Sequence, residues 1–217
     1  MFSATSSGIN SAAPLYLWEL TIQWSIATRA YDRIAEWARR QVEKDYSSRD
    51  ANSRSPVAIL ADCSGLLNAT AVTANILYAG KDAKKRDLQK SQRLAIAERR
   101  SSALRALLEL EDMPTLRAME VRNSFAHMDE RIDRELCSNP SGKFVWVNLS
   151  SDGPPDAVVM RQLNPRTLVV SCLGDDLELR KCKEELNVVK ARVDSAYSSI
   201  RKYEPLLNAC TDVPSSR

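Results

Sequence analysis

Apolar residues at helical spacing are the feature that most constrains the fold of this chain. Toward the C-terminus they recur in alternating steps of four and three from Cys182 to Leu207, which is the period of a helix with one buried face. A second stripe starts just after Pro14, a residue that the first turn of a helix tolerates. Its members are Leu15, Trp18, Ile22, Ile26, Ala30, Ile34 and Trp37. The pattern predicts a long first helix and a long last helix.

Three further helices are predicted between these two. The first covers residues 57–78, with Gly80 placed as its C-terminal cap. The second covers residues 81–110, which are basic at first and apolar at the end. The third covers residues 114–139 as one continuous helix, with Pro114 in its first turn. Its apolar stripe is Met119, Val121, Phe125, Met128, Ile132 and Leu136.

The segment 141–173 has a different character, because valine-rich runs alternate with turn-forming residues. It predicts a small antiparallel hairpin or meander, too short to bury a core of its own. Asp175 and Glu178 are then expected to cap the start of the last helix. The predicted fold is therefore all-α: one domain over residues 1–217, a bundle of about five helices with a β insertion before the last helix.

Composition indicates the cellular compartment better than it indicates the function. The net charge of +3 is too small to identify a nucleic-acid-binding protein from its total. The five cysteines show no metal-ligand spacing, which favours free thiols in a reducing cytosol. The N-terminus does not resemble a secretion signal, and no uninterrupted apolar run approaches membrane-spanning length. A cytoplasmic location without membrane association is the expectation.

Local charge is more informative than the total. Residues 81–105 form the most basic segment of the chain. Five of its cations are candidate RNA contacts: Lys84, Lys85, Arg86, Lys90 and Arg93. The alternative is a solvated helix face that binds nothing.

A single histidine, His127, limits the chemistry that one chain can perform. Catalytic schemes and metal sites that need two histidines per chain are excluded, and no metal or cofactor is expected. On a helical wheel His127 lies roughly 140° from the centre of the apolar stripe, so it should be exposed. Asn123, one turn earlier, shares that side, and Arg122 flanks the stripe with a side chain long enough to reach around.

The segment from Arg122 to His127, with the sequence Arg-Asn-Ser-Phe-Ala-His, resembles the R-N-x-x-x-H form of the motif found in HEPN proteins. The arrangement of predicted helices agrees with that family over nearly the whole chain apart from the β insertion. The match of individual residues is confined to the motif and its immediate neighbours. The resemblance implies that the motif lies on a late helix of an all-α bundle and that a long helix follows it.

What the resemblance implies about activity is a metal-independent endoribonuclease of toxin, abortive-infection or defence type. An imidazole with an ordinary pKa of about 6.5 can exchange protons with RNA oxygens at neutral pH. Arg122 would bind the phosphate, and Asn123 would orient the imidazole or contact RNA. Since one histidine cannot easily be both acid and base, two protomers would line one cleft and leave a 2′,3′-cyclic phosphate. The assignment requires Arg122 and His127 of both protomers to converge in one groove that solvent reaches.

The resemblance also suggests partners, and it leaves other interpretations open. Some HEPN toxins pair with an antitoxin or a nucleotidyltransferase and extend the motif to H-x-Y, whereas Met128 and Asp129 follow His127 here. The main alternative is a non-catalytic HEPN-like module for dimerisation or for binding nucleotides or RNA. A third interpretation is a helical nucleic-acid binder that uses residues 81–105. Trp146, in the β insertion, could contact RNA or a partner.

Overall fold

The structure is a computed structural model. It describes the backbone of residues 6–43, 55–78, 88–118, 120–154 and 156–209. Within those ranges, side chains are described except in residues 6–11, 88–93 and 200–209. Most of the described residues are helical, with small sheets, which confirms the coarse prediction of a helix-rich chain with a short strand region.

The chain divides into two compact units that are discontinuous in sequence. One unit comprises residues 1–22, 76–112 and 187–217, and the other comprises residues 23–75 and 113–186. Three of the four boundaries fall inside long helices, and the fourth, between Asp112 and Met113, lies between helices. The whole Arg122-to-His127 motif and the strands that follow it belong to the second unit.

Helix α1 spans Ser6–Glu43, so Pro14 lies inside it and the expected start at Pro14 is wrong. The predicted buried face is also wrong in its first half. Leu15 is 72% exposed and Trp18 is 62% exposed, whereas Leu17 and Leu20 are fully buried. Ala30, Ile34 and Trp37, from the second half of the predicted stripe, are buried as expected. Two apolar stripes lie side by side at the start of α1, and spacing alone does not show which one is packed.

Helix α2 spans Pro56–Leu77, close to the prediction; Gly80 lies outside the described residues. Among the described helices, α2 alone is long and apolar enough to cross a membrane, although Asp62 interrupts its apolar run. Half of its most apolar window is buried inside the protein. Asp62 on α2 accepts a hydrogen bond from Nε of Arg33 on α1, at 2.8 Å. Burial and a paired carboxylate are typical of a core helix.

Helix α3 spans Leu88–Leu107. Leu104 and the following Leu108 are buried, as the sequence predicts for the apolar end of this segment. The hydroxyl of Ser101 donates to the carbonyl oxygen of Ile76 at 3.1 Å and ties α3 to the end of α2 within the first unit.

The predicted helix over residues 114–139 is three helices. They are α4 (Pro114–Arg117), α5 (Glu120–Ala126) and α6 (Met128–Ser138). Val121 and Met128 are buried as predicted, but Leu136 is exposed. The prediction of one continuous helix is wrong because the chain changes direction at two positions that the apolar stripe does not mark.

Five short strands follow, where the β insertion was predicted. Strands β1 (Lys143–Val145) and β2 (Ala157–Val159) pair in parallel. Strands β3 (Arg161–Asn164), β4 (Val169–Cys172) and β5 (Asp175–Glu178) form an antiparallel meander in that order. The meander agrees with the sequence prediction, whereas the parallel pair was not expected.

The meander brings polar side chains to the face that packs against α5. A buried row crosses its three strands at Leu163, Val170 and Leu177. Side chains alternate between the two faces of a strand, so the neighbouring row of Arg161, Cys172 and Asp175 lies on the same face. Helix α5 packs against β4 and β5. Arg161 and Asp175 are therefore directed toward the helix that carries the motif.

Helix α7 spans Leu179–Ala209. Its predicted start at Asp175 is wrong, because Asp175 begins β5. The turn from β4 to β5 consists of Leu173 and Gly174, with φ of 50° and 88°. Two central residues with positive φ suit the tight turn of a hairpin, so the strand continues where a helix cap was expected. The predicted apolar face of α7 is confirmed at Cys182, Leu186, Val189 and Val193, which are buried.

Candidate functional site at the α5–α6 corner

The α5–α6 corner, residues 123–130, is centred on His127. Helix α5 ends at Ala126, and His127 has φ −112° and ψ 44° before α6 starts at Met128. Helical hydrogen bonding continues through the corner. The His127 N–H donates to the Asn123 carbonyl at 2.9 Å, and the Arg131 N–H donates to the His127 carbonyl at 3.2 Å. The chain therefore bends at His127 without losing these backbone bonds.

The imidazole of His127 lies on the surface. Its side chain is 61% exposed, and Nδ1 lies 3.7 Å from Oε1 of Glu130, one turn later on α6. That separation is too long for a hydrogen bond, so Glu130 is a neighbour of the imidazole and not a bound partner. The imidazole is open to solvent and can take part in proton transfer. The sequence analysis did not identify Glu130 as a neighbour of His127.

Asn123 is exposed, one helical turn before His127. The structure therefore brings these two predicted site residues together on the solvent side of the corner, as the helical wheel predicted. The amide of Asn123 offers both donors and an acceptor at the surface.

Arg122 is placed differently from the prediction. It is only 5% exposed, and Nη2 donates to the carbonyl oxygen of Leu116 at 2.8 Å. Burial lowers the pKa of its guanidinium, with smaller opposing contributions from Cys182 and Glu120. The expectation that Arg122 shares an open face with His127 is wrong. Its long side chain reaches inward to a carbonyl group rather than outward to solvent.

Arg122 and Glu185 together form an α4 clamp, which we define by these two residues. The Glu185 carboxylate, on α7, accepts the backbone N–H groups of Thr115 at 3.0 Å and Leu116 at 2.6 Å. These donors belong to the first turn of α4, where N–H groups have no partner within the helix. Arg122 binds the Leu116 carbonyl on the same short helix. The guanidinium and the carboxylate therefore satisfy backbone groups of α4 from two other helices.

Two polar contacts attach the corner to the meander. The hydroxyl of buried Ser124 donates to Oδ2 of Asp175 at 2.7 Å. Nη2 of Arg131 lies 3.3 Å from the same oxygen. Since Ser124 is on α5 and Arg131 is on α6, the Asp175 carboxylate links both helices to β5. This link holds α5 and α6 in place on either side of His127.

Arg161 contacts two aromatic rings, those of Phe125 on α5 and Trp146, which directly follows β1. The centre of its guanidinium lies 5.2 Å from each ring centroid. Trp146 is 51% exposed. Backbone hydrogen bonds hold these segments together. The Met160 N–H donates to the Val145 carbonyl and the Asn148 N–H donates to the Arg161 carbonyl, both at 2.9 Å. We call Phe125, Arg161 and Trp146 the aromatic stack.

The predicted basic RNA contacts remain predictions. Lys84, Lys85 and Arg86 lie outside the described residues. Lys90 and Arg93 lie on α3, in the part whose side chains are not described.

Among the described residues, no group of three or more His, Cys, Asp or Glu side chains is arranged to hold a metal ion. Comparison with protein families, with curated proteins and with solved structures finds no match to this chain. The likeness to HEPN proteins therefore rests on the motif and its helical setting.

Proposed function

We propose that the chain is a HEPN-like, metal-independent endoribonuclease in which His127 is the proton-transfer group. The observation that carries the proposal is the exposed imidazole at the α5–α6 corner, with the Glu130 carboxylate 3.7 Å from Nδ1. A solvent-exposed imidazole can act as a general acid or base. The exposed amide of Asn123, one turn away, supports the same role as an orienting or RNA-contacting group.

The reaction needs two imidazoles, so the proposal includes a homodimer. One imidazole removes the proton from a ribose 2′-hydroxyl, whose oxygen then bonds to the adjacent phosphorus. The bond from phosphorus to the 5′-oxygen breaks, and the second imidazole protonates that oxygen. The products are a 2′,3′-cyclic phosphate and a free 5′-hydroxyl. A second copy of the chain supplies the second imidazole, because each chain has a single histidine.

Arg122 has a positioning role in this proposal and does not contact the phosphate. Its guanidinium is buried and bound to the Leu116 carbonyl. The cation that stabilises the phosphate must come from elsewhere. An antitoxin or nucleotidyltransferase partner and a cytoplasmic location belong to the same proposal and follow from the resemblance alone.

The burial of Arg122 favours a second candidate, a non-catalytic HEPN-like module for dimerisation or for binding nucleotides or RNA. A nuclease of the expected type would present both Arg122 and His127 to the phosphate, and only His127 is exposed. In this alternative the corner binds RNA or a partner chain without cutting.

Incubation of the purified protein with single-stranded RNA in a metal chelator distinguishes the two candidates. We expect cleavage to a 2′,3′-cyclic phosphate, and the variant His127→Ala should cleave about 10²- to 10⁴-fold more slowly, which is the usual contribution of a general acid or base. Asp133→Asn, which changes an exposed acid elsewhere on α6, is the matched control and should cleave like the parent. Cleavage that persists in His127→Ala contradicts the proposal. RNA binding without cleavage by the parent supports the module.

A further inference from the structure

The aromatic stack contains a surface that the proposed chemistry does not use. The guanidinium of Arg161 lies over one face of the Trp146 indole, and yet the residue is half exposed. With one face covered, much of that exposure belongs to the opposite face and the ring edge. The same guanidinium also lies over the Phe125 ring, 5.2 Å from its centroid. The indole is therefore a supported flat surface that is open to solvent.

Rigidity distinguishes this indole from an ordinary exposed side chain. The Arg161 guanidinium lies over two rings, and among the described residues its buried Nε has no hydrogen-bond partner. Contacts with the two rings therefore hold it in place. Backbone bonds on either side of Trp146 join its segment to the start of the meander. A preordered ring loses little conformational freedom when a flat ligand stacks on it.

Charge indicates which flat ligand suits this surface. The guanidinium places a permanent positive charge beside the indole, which disfavours a cationic ligand and favours an electron-rich ring that carries a negative group. An unpaired nucleobase with its phosphate has both properties, and bases stack on aromatic side chains in many proteins that bind single strands. The guanidinium also carries N–H groups that can donate to a phosphate oxygen.

From these observations we infer that Trp146 and Arg161 form a stacking site for one unpaired nucleobase of the RNA. This inference rests on the proposed function for the identity of the ligand, and it names the substrate class as single-stranded rather than duplex RNA. Duplex bases are stacked within their own helix and cannot cover the indole. Trp146 binds the base, Arg161 faces the adjacent phosphate, and Phe125 fixes the guanidinium.

The test measures binding separately from cleavage. In a His127→Ala background, the Kd for a short fluorescent single-stranded RNA is measured by anisotropy. Trp146→Ala should weaken binding roughly 5- to 150-fold, the range for loss of one base–aromatic stack. Trp146→Phe should lose less, because it keeps an aromatic face. A duplex of the same sequence should compete poorly.

Trp18→Ala provides the matched control, since Trp18 is also a strongly exposed tryptophan but lies on α1 in the other unit. It should bind like the parent. The inference is overturned if Trp146→Ala binds like the parent, if both tryptophan variants weaken binding equally, or if the His127→Ala protein does not bind single-stranded RNA. Cleavage that survives in His127→Ala contradicts the proposed nuclease but leaves the comparison of Trp146 with Trp18 intact.

Discussion

Around Arg122 the chain is closed to solvent, because α4, α5 and α7 supply the groups that surround and bind its neighbourhood. Around His127 the chain is open, because its side chain lies on the solvent side of the corner where α5 ends and α6 begins. The two residues are separated by about one and a half helical turns. Two residues of one continuous motif therefore lie in different environments, since Arg122 is buried and His127 is exposed.

The difference has a physical origin. A guanidinium is costly to bury unless its N–H groups find acceptors, and the carbonyl oxygen at the end of a short helix is such an acceptor. Arg122 therefore stabilises α4, while an exposed imidazole contributes little to folding. We therefore expect substitutions near Arg122 to change the free energy of unfolding or the solvent exposure of this region. Substitutions at His127 should change the rate of RNA cleavage.

Thiol labelling should show the largest difference between the closed region around Arg122 and the exposed surface of α6. Burial raises the pKa of Cys182, which lies near Arg122, to about 12. At pH 8 its thiolate fraction should be about a thousandfold below that of an ordinary cysteine, and solvent does not reach it. Cys137, near the end of α6, is exposed. Mass-spectrometric mapping after brief maleimide treatment should find Cys137 modified and Cys182 intact.

Cys63 and Cys172 are two further buried cysteines to compare with Cys137. Burial raises their pKa values to about 12 and about 11. Both should remain unmodified until the protein is unfolded. Rapid labelling of Cys182 in the folded protein would mean that solvent reaches the region around Arg122. That result would contradict the difference between the Arg122 and His127 regions.

Removal of the other half of the α4 clamp should have the next largest effect. Glu185→Ala leaves the N–H groups of Thr115 and Leu116 without their carboxylate, and we expect a loss of about 1 to 3 kcal/mol in the free energy of unfolding. Urea unfolding measures this loss. Glu184→Ala, at the exposed neighbouring position, is the control and should change stability by at most about 0.5 kcal/mol. Equal stability of the two variants would contradict the clamp.

Local patterns in the sequence predicted much of the fold. The positions of α2, the valine-rich strand region and the buried face of α7 were all predicted, because each depends on a periodicity within one segment. The exposure of His127 and Asn123 was also predicted, since it depends only on the angle between those residues and the apolar stripe.

The remaining features depend on contacts between distant segments. The burial of Arg122 requires the Leu116 carbonyl and the packing of α7, and hydropathy by itself predicts that an arginine is exposed. The bend at His127 is joined to β5 through Asp175, far along the chain. On α1, Leu17 and Leu15 are equally apolar, and only the packed structure shows that Leu17 is the buried one.

The most direct measurement compares the free energies of unfolding of Arg122→Ala and His127→Ala with that of the parent. Our account predicts that Arg122→Ala loses about 1 to 3 kcal/mol, because the Leu116 carbonyl loses its buried donor. It predicts that His127→Ala, a change at an exposed position, stays within about 0.5 kcal/mol. An Arg122→Ala protein as stable as the parent would contradict the structural role of Arg122. It would favour the alternative in which the guanidinium contacts the phosphate.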